Sequence, residues 1–328
     1  MNADILKRLV RAIAEGSQDD LTTLAKKVIE TERESGHGKL AGELDKILQR
    51  ARTRGQSNAS PDLRELPSSR RNRELLVSLH PRDTLEHCMV LPTDVEERFA
   101  RVEREYAARE RLSAYGLRPR KRVLLHGPPG CGKSLGAKRL AWNTTLPLMK
   151  VRFDALLSSY FGESAANLRM VFEAAKERPC VLLLDECDFI ARSRTGSRDI
   201  GEASRVVNAL LQFLDEYDAP GILVATTNVE ESLDEAIFRR FDDVFLLPLP
   251  GPAEIERLLK LTLSAIKVSG HLNWDAVIAA LVGFSAAYVV KAGQDAAKAA
   301  VLVGRKTVEE SDLQRAISEI RKGNSSPP

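Results

Sequence analysis

The chain has 328 residues, 43% hydrophobic and 29% charged, the balance of a globular protein with room for one to three domains and a sizeable core. A formal charge of +3 is too small to argue for nucleic acid or an anionic membrane as partner. Met1 to Arg11 alternate apolar and charged residues with no leader-like apolar stretch, and no run approaches the roughly 18 residues of a membrane span, so a cytoplasmic location is expected. Cys88, Cys131, Cys180 and Cys187 form no CxxC pair and have no zinc-type histidine at short spacing. Reduced thiols are therefore expected, and no metal site built from protein ligands alone.

Residues 1–52 read as a helical N-terminal recruiting module. Leu6, Leu9, Val10 and Ile13, then Leu21, Leu24 and Val28, then Leu40, Leu44, Ile47 and Leu48 follow helical spacing, with breaks at Gly16 and at Gly36/Gly38. Residues 53–89 read as a basic, Pro/Ser-rich linker. Between Arg50 and Arg73 seven arginines stand against Asp62 and Glu65, a net of +5, and Thr53 to Arg71 has almost nothing to bury. The charges suit a solvated tether or a contact with an acidic partner.

Residues 90–250 change texture. Asp94 to Leu112 predicts a charged amphipathic helix. Val123–Leu125, Leu148–Val151, Val181–Leu184, Ile222–Ala225 and Val244–Leu247 then alternate with helical patterns. Continuous apolar strands between helices predict an α/β fold with a buried, parallel, five-stranded sheet covered on both faces. After Pro248–Pro252 no strand is expected. Ala253–Val268, Trp274–Leu281, Ser285–Leu302 and Glu309–Ile320 predict a small all-helical lid, residues 251–328 including the tail.

Two motifs carry chemistry. Gly127-Pro128-Pro129-Gly130-Cys131-Gly132-Lys133-Ser134 matches G-x-x-x-x-G-K-[ST], the P-loop or Walker A pattern, with a strand before it and a helix after it. Such a loop, with Leu135 on the first helical turn, cradles nucleotide phosphates with backbone amides at a helix N-terminus. Lys133 can reach the β- and γ-phosphates, and the Ser134 hydroxyl can ligate Mg2+. Val181-Leu182-Leu183-Leu184-Asp185-Glu186 is a buried strand ending in two carboxylates at the carboxyl edge of the sheet, where ligands of open α/β sheets bind. Read alone it is also a strand followed by a helix cap. Beside a P-loop it is a Walker B motif. Asp185 then suits the Mg2+ shell, partly through water, and Glu186 suits polarisation of the attacking water.

From Arg122 through the lid, five motifs in order resemble the AAA clade of AAA+ ATPases. Asp185-Glu186-Cys187-Asp188 resembles its D-E-x-D. Ile222-Leu223-Val224-Ala225-Thr226-Thr227-Asn228 looks like its sensor-1 strand, which implies that Asn228 positions the attacking water. Leu233 to Asp242 looks like its arginine-finger segment. Arg239 and Arg240, adjacent, are similar to the pair of spastin and katanin, although alone they read as a surface pair. Gly283-Phe284-Ser285-Ala286-Ala287 resembles the turn opening the third lid helix. Ser158 to Ser164, with Tyr160 and Phe161, looks like the aromatic pore loop of protein-threading rings, although two rings on one loop also suit local packing. Arg192, Arg194 and Arg198 fall where a second pore loop lies, and equally suit a solvated loop. Cys131 departs from the usual threonine and Tyr288 from a frequent aspartate, and neither removes a catalytic group.

The resemblance implies an ATP- and Mg2+-dependent ATPase that remodels or unfolds protein substrates as a homo-oligomeric ring, a hexamer, by threading through a pore lined by Tyr160 and Phe161. Its partners would be protein substrates or effectors. Two alternatives stand beside it: an ATP-gated adaptor for a separately encoded protease or effector, and a nucleic-acid-linked loader. The loader reading fits the basic linker but not Ser285-Ala286-Ala287, where an arginine sensor would be usual.

Overall fold

The computed structural model describes residues 66–69, 73–157, 163–188, 200–228 and 238–325. The expected N-terminal module, Tyr160, Phe161 and the basic loop at Arg192–Arg198 lie outside the described residues. The described residues belong to one compact unit, Leu66–Pro328.

Six strands form the main sheet in the order β1-β3-β4-β5-β2-β6. They are β1 (Val77–His80), β2 (Arg122–His126), β3 (Leu148–Val151), β4 (Val181–Leu184), β5 (Ile222–Thr227) and β6 (Asp243–Leu246). All neighbours pair in parallel except β1, which runs antiparallel to β3 with Val77 opposite Val151. The five expected strands are present, and β1 is the sixth. It lies inside the segment read as linker, where Leu66, Leu76 and Val77 are buried in the core. Arginines around these few apolar residues hide the strand, because a short edge strand needs only one buried face.

Alternate residues of each central strand feed two cores. Leu182, Leu184, Leu223 and Ala225 face α5 (Ser164–Glu177) and α6 (Ile200–Asp215), meeting Leu168, Phe172 and Leu210. Val181, Leu183, Ile222 and Val224 face α1 (Thr93–Ala107) and α3 (Lys133–Asn143), meeting Phe99, Ala137 and Leu140. Burial on both faces is why these strands read as unbroken apolar runs. The helix expected over Asp94–Leu112 is divided at Ala108 into α1 and α2 (Arg109–Ala114), where Arg109 donates to the carbonyl of Tyr106. A short helix, α4 (Phe153–Leu157), follows β3.

The C-terminal part is helical with one correction. Four helices, α7 (Pro252–Thr262), α8 (Trp274–Leu281), α9 (Ala286–Leu302) and α10 (Glu310–Ser325), enclose their own core around Leu259, Val289 and Leu313. The first ends six residues earlier than expected. Lys267–Val268 (β7) then pairs in parallel with Thr307–Val308 (β8), so the lid is not purely helical. Three of those four strand residues are β-branched, which favours an extended backbone. Among the described residues no helix is long and apolar enough to cross a membrane.

Candidate functional site

The site lies at the carboxyl ends of β2, β4 and β5. After His126 the chain turns at Gly127, whose φ is 135°. A Cβ there would sit 2.3 Å from the carbonyl oxygen of Leu247, so only glycine fits. Gly130 also has positive φ, 77°, and its carbonyl accepts the amide hydrogen of Ala287 at 3.0 Å. That bond ties the loop to the first turn of α9 in the lid. Helix α3 starts at Lys133, so its unpaired amides and positive end face the space inside the loop.

Lys133 is buried at 8% exposure, and its ammonium donates to the carbonyls of Gly127 and Pro128, both at 2.8 Å. Burial pulls its pKa down, while the neighbouring Asp188, Asp185 and Glu186 carboxylates oppose that shift. Cys131 is buried, and desolvation raises its thiol pKa despite the nearby Lys133 charge.

Asp185 is held by three side-chain donors. Its Oδ1 accepts from the Ser134 hydroxyl at 2.8 Å and from the Thr226 hydroxyl at 2.7 Å, and its Oδ2 accepts from the Lys150 ammonium at 2.6 Å. Burial works to raise its pKa, but those three donors outweigh burial and hold the carboxyl below its ordinary range. Glu186 follows with φ 56°, a left-handed backbone that a glutamate rarely adopts, and its side chain is exposed. Its amide donates to the Thr226 hydroxyl at 2.8 Å. Asp188 accepts from the Thr227 hydroxyl at 2.6 Å, from the backbone amide of Asn228 at 2.9 Å and from Asn228 Nδ2 at 3.1 Å. A carboxylate only accepts, so Asn228 spends its Nδ2 on Asp188 and not its amide oxygen.

A cavity of about 300 Å3 is lined by Pro129, Gly130, Gly132, Lys133, Ser134, Leu135, Asp185, Glu186, Thr226, Asn228 and Ala287. Both motifs and the sensor strand thus converge on one space. Its amides, ammonium and helix terminus suit a polyphosphate. A hydroxyl and a carboxylate, both hard oxygen donors already joined to each other and to a cation, suit magnesium.

Arg239 and Arg240 do not line this cavity. They sit on the turn before β6, an edge strand. Phe241 is buried, and Asp242 accepts from the amides of Lys121 and Arg122 and from the Arg122 guanidinium. Arg240 meets Asp215, at the end of α6, through Nε and a terminal nitrogen, both at 3.1 Å, while Arg239 is exposed.

Sequence reading missed three supporting residues. Lys150 is the one charge in the strand Leu-Met-Lys-Val, a signal that the apolar pattern hides. Thr226 hides within a buried strand, where its hydroxyl gives no periodic signal. Asp188 is visible in the motif, but its grip on Asn228 is not.

The family model described as "ATPase family associated with various cellular activities (AAA)" matches residues 123–249, from β2 to just past β6. An "Uncharacterized AAA family ATPase y4kL" of Sinorhizobium fredii is 35% identical over 316 residues, covering 96% of this chain and 94% of that protein. "Proteasome-activating nucleotidase 2" of Halobacterium salinarum is 32% identical over 218 residues, covering 64% of this chain and about half, 53%, of that protein.

Proposed function

Since the chain belongs to the AAA family of ATPases and hydrolyses ATP, we propose that it does so as a homo-oligomeric ring, a hexamer, that remodels or unfolds protein substrates. Lys133 and the backbone N–H groups of residues 130–135 bind the phosphates. Ser134 and Asp185 would hold magnesium, partly through water, and the ion would supply neutralisation of phosphate charge. Glu186 takes the proton of the attacking water, and the Asn228 amide oxygen orients that water. Asp188, by accepting from Asn228 Nδ2, leaves that oxygen for the water.

The observation that carries the ring is the position of the arginine pair. Arg239 is exposed on a turn at the β6 edge, outside its own cavity, and Arg240 is held there by Asp215. From that edge they suit a neighbour's γ-phosphate, where an arginine finger stabilises charge in the transition state. Protein as substrate is supported by the likeness to a proteasome-activating nucleotidase and by the sequence around Tyr160 and Phe161, which resembles a substrate-gripping motif. That same likeness also favours a second reading, an ATP-gated adaptor for a separate protease.

The Tyr160→Ala variant tests the reading. Tyr160 lies 27 residues beyond Lys133 in the sequence, outside the phosphate-binding motif, so basal ATPase and assembly should stay near normal, while stimulation by an unfolded polypeptide is lost. If the folded variant still processes substrate at full rate, threading is wrong. Co-purification with one stable protease would then favour the adaptor, and co-purification with DNA the loader.

A further inference from the structure

We propose that Lys150 is a tethered counter-cation for Asp185 that yields to the magnesium of the nucleotide, and so sets how strongly nucleotide binding depends on magnesium. The inference rests on the ATPase assignment and is independent of the ring and of the substrate.

Lys150 breaks the pattern of its strand. Met149 and Val151 on β3 are buried in the core under α5 and α6, so Lys150 projects from the opposite face. It pairs in register with Leu183 of β4, two residues before Asp185. Its stem runs along that strand toward the carboxyl edge of the sheet, and the ammonium meets Asp185 Oδ2 at 2.6 Å. The Asp185 side chain is 9% exposed and that of Lys150 is 43% exposed.

That asymmetry matters. A nearly buried carboxylate is costly without a cation beside it. Ser134 and Thr226 bring hydroxyl hydrogens to Oδ1, but they bring no charge. Lys150 supplies the charge at Oδ2. When a magnesium ion reaches the same carboxylate, two cations compete for it and repel each other. Lysine suits the exchange, because its ammonium is a single point charge on a flexible stem that already reaches solvent. A guanidinium bound in a fork would be harder to release. Lys150 therefore interacts more favourably with the magnesium-free site than with the loaded one. A differential interaction of that kind is what couples two binding events.

The test uses the full-length protein, a fluorescent non-hydrolysable ATP analogue, and a magnesium titration starting from EDTA. In Lys150→Met the magnesium concentration giving half-maximal binding should fall about fivefold, the scale of a partly exposed charged pair. Lys150→Gln, which can still donate a hydrogen bond but carries no charge, should show the same fall. Lys150→Arg, which keeps the charge in a form harder to release, should show no fall and should raise the midpoint. Without nucleotide, Lys150→Met should melt at a lower temperature, and magnesium alone should recover part of the loss. In an Asp185→Asn background, removing Lys150 should change the midpoint no further. An unchanged or higher midpoint in either folded neutral variant would overturn the proposal. So would a shift that persists at full size in the Asp185→Asn background, since the lysine would then act on the phosphates and not through this carboxylate.

Discussion

The Thr226 hydroxyl donates to Asp185 Oδ1 at 2.7 Å while it accepts the backbone amide of Glu186 at 2.8 Å. One residue, 1% exposed, thus fixes the Asp185 carboxylate and the backbone of Glu186, which bears the other carboxylate. The second bond helps hold Glu186 in its left-handed conformation, which costs on the order of 1–3 kcal/mol and persists only where surroundings enforce it.

Thr226→Val keeps the shape and removes both bonds. Leaving a buried carboxylate oxygen and an amide short of partners should cost about 1–3 kcal/mol of stability. Hydrolysis should slow more than nucleotide binding weakens, because Glu186 loses its orientation. Thr226→Ser should recover most of both. Thermal melts and phosphate release check this, and equal losses in binding and in turnover would count against an orienting role.

Lys133→Ala and Glu186→Gln should separate binding from chemistry. The first removes the buried ammonium of the loop, proposed above to bind the β- and γ-phosphates, so binding of a fluorescent ATP analogue should be lost. The second leaves every phosphate contact in place but cannot take a proton from water, so ATP should bind and persist. Ordinary turnover by Glu186→Gln would remove that residue from its role.

Much of this site was legible in the sequence because it depends on spacing along the chain. Gly127 to Ser134 must curl within one loop, and Asp185-Glu186 must end a strand, so both appear as motifs. Lys150 and Thr226 escaped because their roles exist only across strands, once β3 and β5 flank β4. Strand β1 escaped for a related reason: its pairing with β3 is non-local, and arginines dominate the composition around it. The short β7–β8 pair escaped because two residues carry no period. In the lid, the helices were visible because each keeps an apolar stripe, as with Val289, Ala292, Ala296 and Ala300 on α9.

Acid should destabilise the fold in a defined window. The Arg139 guanidinium hydrogen-bonded to Glu96 holds that carboxyl below its ordinary value. Hydrogen bonding from Arg305 does the same for Asp312. At Asp242 burial pushes upward, but the Arg122 side chain and the amides of Lys121 and Arg122 outweigh it. Each group has a folded pKa below its unfolded one, so its contribution is fully present above the unfolded values, about 3.9 for Asp and 4.3 for Glu. It is lost as pH falls through the lower folded values. Urea midpoints should therefore hold down to about pH 5 and drop below about pH 4. Asp242→Asn should cost roughly 1–3 kcal/mol at pH 7, and its deficit against the parent should shrink below pH 4. A deficit that stays constant into acid would mean that Asp242 acts by shape and not by charge.

The arginine pair gives the last prediction, because its two members differ in exposure. Arg240 is fixed to Asp215 through two nitrogens, whereas Arg239 is exposed on the same turn. Buried Phe241 and the multiply bonded Asp242 clamp the turn to the edge of the sheet. A finger needs a rigid base and an arginine exposed at the surface. Arg239→Ala should bind ATP yet hydrolyse it slowly, since a finger is worth roughly 10³–10⁵ in rate. Asp215→Ala should lose less, because it loosens the base without removing a charge from the neighbouring site. If each finger serves a neighbour, a Lys133→Ala subunit, inactive itself, still presents an intact Arg239. Mixing it with Arg239→Ala subunits, whose own cavities are sound, should restore part of the hydrolysis once subunit exchange has been shown by fluorescence transfer. Mixing Lys133→Ala with Glu186→Gln should restore nothing, because neither supplies a working cavity. Exchange without recovery in the first mixture would sink the assignment of Arg239 to the neighbouring site.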